Sequence, residues 1–247
     1  MTQEEKEMIK GYLLDENISE EERKERFEIA WDICENFKEI KLSLKQRMLD
    51  ALMNKISSSN EFRGYEVRDK GLRKGEKYGL LIIFKKDWVL SSNSKIGILN
   101  YAFEAEQEDV HENLVGIVMQ SGIVGQDEGI PFKGDWREFA NDSNELLRKC
   151  SEKCNEIYKI LNESSRSRGW NVTKGWIAWK WLDLLYKEMR EKKFYLQILT
   201  KDGMEEAVRY FFNELLELKD KTEKYIDELI EFIKIRLKAD TEDKKNQ

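Results

Sequence analysis

The chain has 247 residues, of which 40% are hydrophobic, 11% aromatic and 37% charged, with a formal net charge of -6. That interior suffices for one sizeable domain, and the negative balance excludes a surface coated in cations while leaving room for a local basic groove. No apolar run approaches the roughly 18 residues of a membrane span. The N-terminus MTQEEKEMIK lacks the apolar centre of a secretory signal, and Cys34, Cys150 and Cys154 form an odd set without disulfide-scaffold spacing. A cytoplasmic protein without membrane contact is expected.

With Pro131 as the only proline, long helices can run uninterrupted. Ser19 with Glu22 fits a capping box at a helix start. Phe27, Ala30, Trp31, Cys34 and Phe37 then mark one apolar stripe at helical spacing. Ser43 with Gln46 repeats the cap signature, and Leu44, Met48, Leu52 and Ile56 follow as a second stripe. Residues 1–60 are therefore expected to be an antiparallel helical pair. The period then changes. Phe62, Tyr65 and Val67 suggest a strand, Gly71 and Gly75 a turn, and Tyr78 to Phe84 (YGLLIIF) a strand covered on both faces. Lys95 to Glu106 and Asn113 to Gln120 supply two more, with connections too short for crossover helices.

Residues 61–121 are thus expected to be an antiparallel meander of three to four strands. A long Gly-rich loop covers 121–135, and Asp135 with Glu138 again fits a capping box. Leu146, Leu147, Cys150, Cys154, Ile157, Tyr158 and Leu161 define an amphipathic helix. A Trp-rich helix is expected near Gly175 to Lys187, while Phe194 to Leu199 fits either a strand or a helix. Glu205 to Leu237 reads as a helix broken or bent near Lys219 to Thr222, with 239–247 a frayed polar tail. The whole is read as a single α+β domain, the meander packed against long helices, with C-terminal helices over 136–238.

No intact catalytic motif emerges. His111 is the sole histidine and sits in an acidic turn, so neither a multi-histidine metal site nor a triad has its parts. Cys150 and Cys154 share one helix face, but they continue its apolar stripe and read better as core than as zinc ligands. Glu104 and Glu106 project to one side of a strand and can in principle hold a divalent cation. Solubilising carboxylates at a strand end are the stronger reading, and no cofactor is expected. GxxxxGK[ST], GxGxxG and GxSxG are all missing. The segment Arg166, Arg168, Trp170, Lys174 and Lys180, interleaved with Trp176, Trp179 and Trp181, joins cations to aromatics as binding to phosphates and bases requires. The helical spacing of its later tryptophans favours core anchors for most of them, leaving Arg166, Arg168 and Lys174 as exposed contacts.

In its order of segments the chain resembles the C-terminal region of bacterial PD-(D/E)XK-superfamily proteins of restriction-like and phage-defence settings. The resemblance is carried by a helical pair, YGLLIIF, a strand ending near FE, ENLVGIVM, GWIAWKWL and the terminal EKYIDELIEFIKIRL. In such proteins the nuclease core lies N-terminal to this region, and the present sequence begins without it. The resemblance implies an accessory module, without catalysis of its own, that contacts nucleic acid or a partner protein. Two alternatives stand beside it. One is a divergent metal-dependent nuclease using Glu104 and Glu106. The other is a protein-interaction or inhibitor subunit working through an acidic surface.

Overall fold

The computed structural model describes residues 3–71, 78–89, 97–106, 113–119, 135–163, 169–182 and 192–245. It divides into two compact units, Met1–Lys45 and Gln46–Gln247. Among the described residues, no helix is long and apolar enough to cross a membrane.

The first unit holds α1 (Gln3–Leu13) and the N-terminal part of α2 (Glu20–Ser58). Ser19 caps α2, its Oγ accepting the Glu22 N–H at 3.1 Å. The Glu22 carboxylate pairs forward with Arg26 at 2.7 Å. The second cap signature fails, because Ser43 and Gln46 lie inside one continuous helix. Serine opposes a helix interior only weakly, and burial of Met48, Leu49, Leu52 and Ile56 further along the same helix outweighs it. The break in the N-terminal region instead falls between Leu13 and Glu20. None of the described residues of this unit is buried.

The second unit is an α+β fold with a six-stranded antiparallel sheet in the order β1-β2-β3-β4-β6-β5. The strands are β1 (Tyr65–Lys70), β2 (Tyr78–Lys85), β3 (Leu99–Glu106), β4 (Asn113–Met119), β5 (Asn171–Thr173) and β6 (Trp176–Trp181). Strands β1 to β4 form the expected meander, and Leu80 to Phe84 of β2 are all buried, as a strand covered on both faces must be. The sheet exceeds the expected strand count because the Trp-rich segment is a strand rather than a helix. Its i, i+3 tryptophan spacing mimics a helix, but the short aromatic run also satisfies alternation. Trp179 and Trp181 contact each other with centroids 4.7 Å apart, while Lys180 pairs with Glu214 at 2.6 Å. Gly175, at φ +85°, makes the β5–β6 turn.

Among its described residues the unit also holds the C-terminal part of α2 and the helices α3 (Glu145–Glu163), α4 (Lys192–Leu199) and α5 (Lys201–Lys245). Asp135 does cap, but it caps a short 3-10 turn at Trp136–Phe139. Asn144 starts α3, its Oδ1 accepting the Leu146 N–H at 2.9 Å. Cys150, Cys154, Ile157 and Leu161 carry the buried face of α3. Helix α5 runs without the expected break and continues to Lys245. The polar stretch at Lys219 to Thr222 hides a core position. Thr222 is fully buried, its Oγ1 donating to the Leu218 carbonyl at 2.7 Å. Leu215, Leu218, Ile226 and Leu229 continue the stripe on either side. Helix α5 lies across β3 and β4, with Phe103 and Phe211 at 4.9 Å between centroids.

Candidate functional site

A cleft of about 560 Å³ opens where the 3-10 turn, α3 and β5 meet, within the usual size range of ligand sites. Trp136 and Arg137 come from the turn, Ser151, Asn155 and Tyr158 from successive turns of α3, Trp170 from the residue before β5, and Asn171 from the first position of β5. The Trp136 and Tyr158 rings lie 6.4 Å apart. Both are locked from behind. Trp136 Nε1 donates to the Ile177 carbonyl at 3.2 Å, and the Tyr158 hydroxyl donates to the Trp170 carbonyl at 3.3 Å. Arg137 is held by Asp135, with Nε 2.9 Å from Oδ1. That pairing pulls the Asp135 carboxyl below its ordinary range and raises the guanidinium. The wall thus combines aromatic surface with amides, the hydroxyls of Ser151 and Tyr158, the Arg137 guanidinium and the Glu152 carboxylate.

The residues singled out in the sequence are distributed as follows. Trp170 is buried and lines the cleft. Lys180 sits behind it, 5.5 Å from the Trp170 ring centroid and paired with Glu214. Lys174 is exposed at the β5–β6 turn. Arg166 and Arg168 lie outside the described residues, as do His111 and the loop at 121–134. Glu104 stands on β3 opposite Leu80 and Leu114 and is half-buried. Glu106 ends β3 opposite Tyr78, its side chain outside the described set. Among the described residues, no three His, Cys, Asp or Glu side chains are grouped to hold a metal ion.

A second polar cluster escaped sequence reasoning. Lys85, at the end of β2, reaches Glu223 and Asp227 of α5, each at 2.6 Å. Trp88 Nε1 donates to Asp227 at 2.7 Å, and Lys219 pairs with Glu223 at 3.0 Å. Burial acts to raise the Glu223 carboxyl, but hydrogen bonds from Lys85 and Lys219 prevail and lower it to about 2. Lys85 is likewise penalised by burial yet raised overall by Asp227 and Glu223. Tyr65 and Tyr101 pack beside these charges, both phenols pushed far up by burial. Every charge here has a fixed partner, so the cluster reads as a clamp between strand and helix. The available signal was weak: a lysine closing an apolar strand, and two acids at i, i+4 in a helix already rich in acids.

No protein family, curated protein or solved structure matches the chain. The architecture and the cleft therefore carry the functional reading.

Proposed function

We propose that the protein is a non-catalytic binding module that contacts single-stranded nucleic acid through the Trp136–Tyr158–Trp170 cleft and the adjoining β5–β6 hairpin. One observation carries this reading. Trp170, from the segment that suggested base contacts in the sequence, lines a cleft whose other walls offer Asn155, Asn171, Ser151 and Arg137 beside the carboxylate of Glu152. Aromatic surface with amide and hydroxyl groups suits an unpaired base, whose edges need donors and acceptors and whose faces need apolar contact. Lys174, exposed at the hairpin turn, supplies a phosphate contact beside it. Kinship with accessory regions of PD-(D/E)XK defence proteins belongs to the same proposal and rests on the order of sequence segments.

The test is binding of labelled single-stranded DNA and RNA across a salt series. Affinity should fall with salt as counterions are released, and Lys174→Glu and Asn171→Ala, both at exposed positions, should weaken it. A lost base contact is worth about 1–3 kcal/mol. Absence of binding at low salt overturns the reading. A second reading, a protein partner, is favoured by the exposed apolar side chains of the first unit. Co-purification of a partner that survives nuclease treatment would support it.

A further inference from the structure

The α3 wall of the cleft carries a carboxylate, and a polyanionic ligand leaves a carboxylate few places to sit. Ser151 and Glu152 are neighbours on this wall. Ser151 is only 3% exposed, yet among the described residues its hydroxyl has no hydrogen-bond partner. A buried hydroxyl left unpaired in a cleft wall is a place for a polar atom of a ligand. Glu152 is exposed, and Arg148 takes one of its oxygens, with Nη1 at 2.9 Å from Oε1. Its second oxygen, Oε2, has no partner among the described residues. From the 3-10 turn, Arg137 gives Nε and Nη2 to Asp135, and among the described residues Nη1 is unpaired. The cleft thus offers a free acceptor from one wall and a free charged donor from another.

We propose, resting on the nucleic-acid reading above, that the base this cleft takes is guanine. An ionised carboxylate only accepts hydrogen bonds, and it repels phosphate. In a nucleic-acid site Glu152 must therefore face the N–H groups of a base. Adenine and cytosine each present one amino group, and thymine and uracil one ring N–H. Guanine alone sets a ring N–H and an amino group side by side, a donor pair that matches the two oxygens of one carboxylate. Its other edge is the reverse. There O6 and N7 only accept, and a guanidinium is their commonest specific partner. Arg137 has that donor free. A donor pair for Glu152 and an acceptor pair for Arg137 occur together on no other base. Trp136 and Trp170 supply apolar surface for the faces of the ring.

The experiment uses the full chain and labelled thymine tracts that carry one central guanine, adenine, cytosine or inosine, with free guanosine monophosphate as a further ligand. The guanine tract should bind at least about tenfold more tightly than the adenine and cytosine tracts. Inosine keeps the ring N–H, O6 and N7 but lacks the amino group, so it should lose most of that gain. In Glu152→Gln an amide donor replaces one acceptor, and the ratio of guanine to adenine affinity should fall towards one. The thermal melt should stay in place, because the Glu152 pair with Arg148 is exposed. Equal affinity for the guanine, adenine and cytosine tracts overturns the guanine assignment and leaves the strand reading standing. A guanine preference that survives in Glu152→Gln, or in which inosine binds as well as guanine, overturns it too. Binding of guanosine monophosphate with no tract bound keeps the guanine assignment and overturns the strand reading, and no binding of any of these ligands overturns both.

Discussion

The two units of this chain use the same kinds of apolar residue to opposite ends. In the first, Phe27 with Trp31 and Ile29 with Ile33 recur at helical i, i+4 spacing on two sides of α2, yet these four and Phe37 all remain about half exposed. In the second, Phe103, Tyr101, Phe211 and Leu215 are fully buried between the sheet and α5. Helical periodicity therefore specifies a helix and a face but not what covers the face. In the second unit the sheet face is covered by a packed helix layer, whereas the helices of the first unit have no such layer among its described residues.

The contrast should appear most strongly in matched deletions. Phe103→Ala removes a ring packed on Phe211 and should cost about 3–5 kcal/mol in urea unfolding. Phe37→Ala, on the half-exposed stripe, should move the same transition by less than about 0.5 kcal/mol. Equal effects would show that the first unit has a core of its own. Glycine to alanine substitutions should differ in sign between the units. At Gly116 a Cβ would lie 2.3 Å from the Ala178 carbonyl and 2.8 Å from Trp179 Cα, backbone that cannot step aside. A cost of about 1–3 kcal/mol is expected there. At Gly11 of α1 nothing lies within 4 Å, so alanine should add helicity worth at most about 1 kcal/mol, read by far-ultraviolet circular dichroism.

Acid should act on the second unit through its clamp. The Glu223 carboxyl is lowered in the fold from 4.5 to about 2, so its stabilising contribution is complete above pH 4.5 and is lost as the pH falls from 4.5 towards 2. Wild type should therefore lose more stability between pH 6 and roughly pH 3 than Glu223→Gln does. Parallel acid profiles would remove the clamp from the argument. The smallest perturbation is chemical labelling. Cys34 is exposed, whereas burial pushes Cys150 up to about 12 and Cys154 well above its ordinary value. A thiol reagent should modify Cys34 in the native protein and reach the other two only after denaturation. Native modification at α3 would mean that its buried face opens.

Much of the architecture was legible because local signals agreed with one another. YGLLIIF could only be a doubly covered strand, short connections made the meander antiparallel, and the stripe through Cys150 and Cys154 placed both thiols in the core. Local signals misled where they were degenerate. Ser43 with Gln46 resembles a cap but lies within α2, and the polar residues around Thr222 resemble a break but continue α5. WIAWKW satisfies both periods, and only pairing with β4 and β5 makes it a strand.

For the candidate site, sequence alone identified Trp170 and Lys174 as members of a segment rich in cations and aromatics. It did not reveal that Trp136 and Tyr158 stand beside Trp170, or that Lys180 is committed to Glu214. Residue type and spacing act along the chain, over one or two turns, and determined the elements and their apolar faces. Which faces meet depends on contacts between residues tens to hundreds of positions apart, such as Lys85 with Asp227, and those are decided when the sheet and helices pack.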